Sequence, residues 1–379
     1  LSSDILEDSF TSVFKPLHYV HIVLGSSRAN IKHKFVTPPS VLQQFYSSLL
    51  WLMVMVSLAH HLLNYENFFG FGLSTSFLNF GAIINTLLNV LIAWKNNFHD
   101  GDLTSSMYVD LQKIDRHLKC FFNSTYVNET LAQVVRIFSI LTTISGSLII
   151  VLFSVLGTVD GFPFTSIIIL GGTAIYVDNL LAVLIIYFVI IRVGHINSIL
   201  ERSGQETGRG LLVKLVETLF MAQRANRGVK QTSICPELVR AMDSIISSLL
   251  HFNELFRFSI FVFTCYMFTW ELIAIQTLIT STKGQEQITY KHVTLFIPLI
   301  LSGALILIMS LIAAVLINKL KHTKSLCLRT ISLDDTTPKE KRNAKQILML
   351  LEYAPKFSIY DLFTLDARLP VNLFSLSTT

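Results

Sequence analysis

The sequence predicts an all-α fold: a polytopic helical membrane protein with a cytosolic N-terminus and six complete spans. Three observations predict it. The 379 residues are 51% hydrophobic and only 15% charged, with a mean hydropathy of +0.56, whereas an average soluble domain is about a quarter charged. Six stretches reach the roughly 20 apolar residues that a helix needs to cross a hydrocarbon core about 30 Å thick. Lysine and arginine are sorted to alternate connections, the signature of orientation in a bilayer. This composition excludes disorder, a coiled coil, a small disulfide scaffold and an ordinary cytosolic enzyme fold.

Residues 1–40 form a polar, mixed N-terminal segment with Lys32-His33-Lys34 and Pro38-Pro39 and no cleavable signal peptide. Its first residue is Leu1 rather than Met, which reads as an incomplete N-terminus. The first four spans, in 41–200, are expected at 41–63, 69–94, 135–158 and 164–191. The last two, in 258–318, are expected at 258–281 and 292–318. Asn64–Phe68 joins the first hairpin, Thr158–Pro163 the second and Ser281–Lys291 the third.

Orientation follows from charge. Of the 30 Lys and Arg residues, 28 fall in the N-terminal segment, the 95–136 connection, the 192–257 connection or the segment after the sixth span. Only Lys283 and Lys291 lie in a short turn. The N-terminus is therefore expected in the cytosol and the three short turns outside. A heptahelical G-protein-coupled receptor has the opposite orientation, and neither an Asp-Arg-Tyr nor an Asn-Pro-x-x-Tyr motif is present. The same sorting accounts for the formal charge of +5 without a nucleic-acid partner, and leaves a mild attraction to anionic lipid.

The cytosolic segments read as helical too. In the 95–134 loop, Leu111, Ile114, Leu118 and Phe121 recur at helical spacing. In 201–257, Leu211, Leu215 and Leu219 do so, and Leu238, Met242, Ile245 and Leu249 carry the pattern into the fifth span. Within 319–370, Thr337-Pro338-Lys339-Glu340 is a capping box with proline at the first helical position, which starts a helix over 337–353 ahead of Pro355. These apolar stripes need cover, so a cytosolic bundle or subunit contact is expected. The stretch from Phe357 carries Asp361, Asp366 and Arg368 and cannot span; 371–379 turns apolar again.

That tail, Phe357-Ser-Ile-Tyr360-Asp-Leu-Phe363-Thr-Leu-Asp366-Ala-Arg368-Leu-Pro-Val-Asn-Leu-Phe-Ser-Leu-Ser-Thr378-Thr379, resembles the approach to the seventh helix of insect gustatory receptors. In that family a segment of the form F-x-x-x-x-L-F-x-L-D-x-x-L leads to a Thr-Tyr, five apolar residues and Gln-Phe. Thr379 matches the signature Thr; the Tyr, Gln and Phe would lie beyond it. The resemblance implies a seven-span, ligand-gated, non-selective cation channel that assembles as a homo- or hetero-tetramer in the plasma membrane. It also implies a missing seventh, pore-lining helix of which 371–379 is the start, an anchor in 201–257 and 337–353, and a tastant pocket open to the outside.

Candidate ligand-binding residues are the polar groups inside spans. Tyr176, Asp178 and Asn179 lie in the fourth span, Tyr266, Trp270 and Glu271 in the fifth, and Asn85, with Asn89 four residues on, in the second. Carboxylates and amides beside aromatic rings suit a polyhydroxylated ligand or an amine. The bland alternative is that Asp178 and Glu271 bond neighbouring helices as internal glue. His60, His61 and Glu66 read as interfacial. Asn123 and Asn128 begin glycosylation sequons in a connection expected inside, so both read as chance.

No catalytic residue, metal site or cofactor is expected, and phosphate-loop, dinucleotide, HExxH and nucleophile-elbow motifs are absent. Cys120, Cys235, Cys265 and Cys327 have no ligand spacing and are expected as thiols. A secondary transporter is the main rival; it should show two similar halves and broken spans near the midplane. Gly171-Gly172 offers one break without a counterpart. A less favoured rival is an N-in heptahelical signalling receptor.

Overall fold

The computed structural model describes residues 5–32, 34–63, 73–119, 127–137, 162–208, 235–282, 290–334 and 336–355, with short pieces at 121, 139–140, 144, 358–359, 363–364, 368–369 and 375. The described chain is almost entirely helical. Its named helices are α1 (Asp8–Val23), α2 (Val41–Leu63), α3 (Leu73–Phe98), α4 (Gly101–Leu118), α5 (Phe162–Gly208), α6 (Pro236–Thr282), α7 (Tyr290–Ser332) and α8 (Pro338–Glu352), and residues 127–137 are helical as well. Two small antiparallel hairpins complete it: β1 (Asn30–Lys32) with β2 (Phe35–Thr37), and β3 (Ser358–Ile359) with β4 (Phe363–Thr364).

Among the described residues, four helices are long and apolar enough to cross a membrane, over Val41–His60, Gly172–Arg202, Pro236–Thr269 and Leu299–Ser332. They overlap the expected first, fourth, fifth and sixth spans. The expected second span is largely contained in α3, while most of the third, at 135–158, lies outside the described residues.

Helix length explains the architecture. α5 and α6 have 47 residues and α7 has 43, so each extends about 65–70 Å. That is roughly twice a hydrocarbon core. α5 is central, packing against α1, α2, α3, α6 and α7, and 78% of its apolar window is buried, against 28% for α2. The uncovered faces are apolar: Phe45, Leu49, Leu52, Met53 and Val56 on α2, and Ile300, Leu307, Ile308, Leu311 and Val315 on α7. So extensive an exposed apolar surface matches lipid.

α4 lies along α6. Its buried Met107, Leu111, Ile114 and Leu118 form one helical stripe. α8 carries the capping box: Glu340 N–H donates to Thr337 Oγ1 at 3.3 Å, and Thr337 N–H donates to Glu340 Oε2 at 3.1 Å. Its buried Ala344 and Ile347 pack against α6 and α7.

The N-terminal segment is part of this bundle. Phe10, Val13, Phe14 and Leu17 of α1 are buried. Phe10 meets Phe188 edge-on at 5.7 Å, and Phe14 meets Tyr108 at 5.0 Å. After α1, Gly25 adopts φ +62°, a conformation that costs residues with a Cβ. Its carbonyl accepts hydrogen bonds from Trp51 Nε1 at 2.8 Å, Asn97 Nδ2 at 3.0 Å and Ser47 Oγ. That one oxygen ties the turn to α2 and α3.

Candidate functional site

A carboxylate inside an apolar helix must find a partner or stay neutral. Asp178 of α5 finds Arg28, which the turn after Gly25 carries into the bundle. Arg28 Nε and Nη2 donate to Asp178 Oδ1 and Oδ2, both at 2.8 Å. The paired, parallel geometry is the strong form of this contact. Nη1 donates to Asp100 Oδ2 and to the Leu255 carbonyl, each at 3.2 Å. The guanidinium also lies 4.4 Å from the Phe256 ring centre, within cation–π range.

Further donors complete the cluster. Ser259 Oγ donates to Asp178 Oδ2, and Asn96 Nδ2 donates to Oδ1 at 3.4 Å. Lys95 approaches Asp100 at 3.2 Å. Two cations and two carboxylates therefore balance, with Arg28, Asp178 and Asp100 all at most 3% exposed. The cluster joins the N-terminal segment, α3, α5 and α6.

Histidines flank it on α1. His21 is fully enclosed, and burial, opposed in part by the Asp178 carboxylate, lowers its pKa to about 4. His18 is lowered to about 4 by burial and by the neighbouring His21. His21 Nδ1 is 3.1 Å from Ser26 Oγ, and Ile31 N–H donates to His18 Nε2 at 3.4 Å. The second bond requires His18 Nε2 to be unprotonated.

A second buried ion pair lies 14 residues further along α5, about 21 Å away along the helix. Arg192 Nε donates to Asp115 Oδ1 at 3.0 Å and Nη2 to Oδ2 at 3.3 Å. Its guanidinium is 3.5 Å from the Phe188 ring centre. Asn128 bridges the pair, donating to Asp115 Oδ2 at 2.8 Å and accepting from Arg192 Nη2.

The candidate ligand residues divide between these surroundings. Asp178 is the internal counter-ion of Arg28, so a ligand cation there would have to displace a guanidinium. Asn179 is buried and donates to the Ile175 carbonyl at 2.8 Å and to Ser259 Oγ at 3.5 Å, while its Oδ1 has no partner among the described residues. Tyr176 packs edge-on against Phe263 at 5.3 Å and Tyr266 at 5.9 Å, and its hydroxyl bonds to Ser302 and Tyr266. Tyr176, Asn179 and Tyr266 thus belong to the α5–α6 contact.

Glu271 is buried, with Oε2 unpartnered among the described residues, and Asn85 is buried on α3. The Trp270 side chain lies outside the described ones. Among the described residues, a cavity bordered by Ser26, Trp51, Asn89, Asn96 and Asp178 has room for about one water molecule. Asn89 Oδ1, otherwise unpartnered, suits such a water.

The sequence matches no family model and no curated protein. Sequence reasoning counted Arg28 among the cations of a polar tail and missed its burial. The signal that could have found it is the isolated Asp178 in an apolar helix, which requires a cation from elsewhere in the chain.

Proposed function

We propose that this chain is a chemosensory receptor subunit of insect gustatory type, acting in the plasma membrane as a ligand-gated, non-selective cation channel. The observation that carries the reading is the form of α5, α6 and α7. Each has enough length for a bilayer span plus several further turns, and their far ends pack with α4 and α8 into a bundle. Such helices can pass a displacement at one end to the other as rigid elements. The Phe357–Thr379 pattern supports the same reading by its resemblance to the family's approach to a pore helix.

A small tastant held in the outer half of the bundle, near Tyr266, Trp270 and Glu271, would favour the open state through higher affinity for it. The Arg28–Asp178–Asp100 cluster holds the N-terminal segment to the helices that would have to move. Tetrameric assembly and the six-span, N-in topology belong to this proposal.

The test is electrophysiological. Cells expressing the complete reading frame that contains this chain should give a current that depends on a tastant and reverses near zero millivolts. Stoichiometric uptake driven by an ion gradient, with no such current, would establish the transporter reading instead.

A further inference from the structure

The outward face of α7 changes character along its length. Its exposed positions follow one stripe at three- to four-residue spacing: Ile300, Ala304, Leu307, Leu311 and Val315, then Asn318, Lys321, Lys324 and Leu328, with the exposed Arg329 beside Leu328. The first part is apolar and matches lipid chains. Lys321 lies six residues beyond Val315, about 9 Å further along the helix, where a headgroup layer would begin.

α8 adds to the same zone. α8 begins at Pro338, six residues after α7 ends at Ser332, and packs along α7. Its outward face presents Lys339, Arg342 and Lys345, followed by the exposed Met349 and Tyr353. Eleven residues separate Lys321 from Ser332 and the same number separate Pro338 from Met349, so the hairpin brings Met349 back toward the level of Lys321. Among the described residues no ion pair engages Lys321, Lys324, Arg329, Lys339, Arg342 or Lys345. The nearby acids are fewer than the cations: Glu340 is committed to the cap, Glu201 pairs with His322, Asp334 and Glu352 are exposed, and Asp335 follows Asp334 in the sequence.

We infer that the α7–α8 hairpin is a binding surface for anionic lipid headgroups. Long basic side chains can lay their stems along the apolar boundary and place their charges among phosphates. Unpaired cations directly beyond an exposed apolar stripe complement an anionic leaflet, and Met349 and Tyr353 offer apolar contact at the same level. The inference rests on the membrane reading of α7 and not on channel activity.

The experiment uses the purified full chain in neutral detergent and a fluorescent phosphatidylglycerol, with the matching phosphatidylcholine as control. Each cation near an anionic surface contributes roughly a fivefold factor. K321Q/K324Q/R342Q/K345Q should therefore weaken phosphatidylglycerol binding at least tenfold and leave phosphatidylcholine binding unchanged. The charge-preserving K321R/K324R/R342K/K345R should retain wild-type preference, and equal helical circular dichroism should accompany both variants. Raising salt from 50 to 500 mM should weaken binding of the anionic lipid in the wild type.

Equal affinity for the two lipids, or no loss in the glutamine variant, overturns the inference. Displacement of the lipid by equimolar inorganic phosphate also overturns it, since the site would then be a phosphate site. Failure of the membrane reading is separately visible: the chain would stay monodisperse without detergent and would not float with neutral phosphatidylcholine vesicles.

Discussion

Arg28 and Asp178 stand 150 positions apart in the chain and meet in a two-bond ion pair with both N···O distances at 2.8 Å. Around them the Asp100 carboxylate, the Leu255 carbonyl and the Phe256 ring occupy the remaining faces of the guanidinium. Removing one partner leaves a buried charge without compensation. Asp178→Leu or Arg28→Met alone should therefore lower stability by about 3–5 kcal/mol. The double variant should recover part of the loss, because two apolar side chains leave neither of those charges stranded, although Asp100 then depends on Lys95. A double-mutant cycle on thermal unfolding in detergent checks this; strictly additive losses would show that the pair does not act as a unit.

A pH dependence follows from α1. His18 and His21 are held neutral, with pKa values of about 4 against an ordinary 6.5. Between those values the unfolded chain binds more protons than the folded one, so stability rises with pH through that window and is lost as pH falls. Above pH 6.5 these two groups contribute no slope. For His21 the full loss on going below pH 4 is on the order of 3 kcal/mol; the two losses do not simply add, because the charged rings repel. Unfolding midpoints measured from pH 7.5 to 4.5 should fall, and His21→Gln should flatten the curve. An unchanged slope in that variant would assign the dependence to other groups.

Gly25 is a conformational requirement. Its φ of +62° already disfavours a side chain, and an added Cβ would lie 3.1 Å from Leu50 Cδ2 and 3.4 Å from Ser47 Cα. Gly25→Ala should cost roughly 1–3 kcal/mol and loosen the turn that delivers Arg28. The measurement is hydrogen exchange over residues 20–30 and 44–51, where protection should drop in both segments together. Loss confined to 20–30 would mean that the carbonyl bonds from Ser47 and Trp51 survive the change.

Local features were the legible ones. The capping box at Thr337 and Glu340 forms because both partners sit in four consecutive residues, and the apolar stripe Leu111, Ile114 and Leu118 is buried as its period requires. The length of α6 was foreshadowed by the helical spacing of Leu238, Met242, Ile245 and Leu249, which runs into the apolar stretch, whereas the continuation of α5 to Gly208 and of α7 to Ser332 goes past the ends expected from the apolar runs. The Arg28–Asp178 pair was not legible. Lys and Arg were counted by connection, a rule that averages over positions and is blind to one arginine turning back into the bundle. Tyr176 and Asn179 were put forward because amides and carboxylates lie beside aromatic rings in these spans, and what the sequence did not reveal is that both side chains also make contacts between α5 and α6.

Asn128 carries the last test. It begins the sequence Asn-Glu-Thr, formally an acceptor for N-linked sugar. Yet its amide is buried, with Nδ2 donating to Asp115 and Oδ1 accepting from Arg192. Nitrogen cannot bear a glycan while making that bond inside a packed helical contact. The protein expressed in a glycosylating host should therefore show no mobility shift on glycosidase treatment that Asn128→Gln abolishes. The same substitution should nonetheless be felt, because a longer amide cannot bridge Asp115 and Arg192 from the same backbone position. Leaving buried polar atoms unpaired costs about 1–3 kcal/mol, so the variant should unfold earlier although no sugar is lost. A sugar found on Asn128 would mean that this buried contact is absent from the mature protein, and would place the 95–134 connection outside the cell.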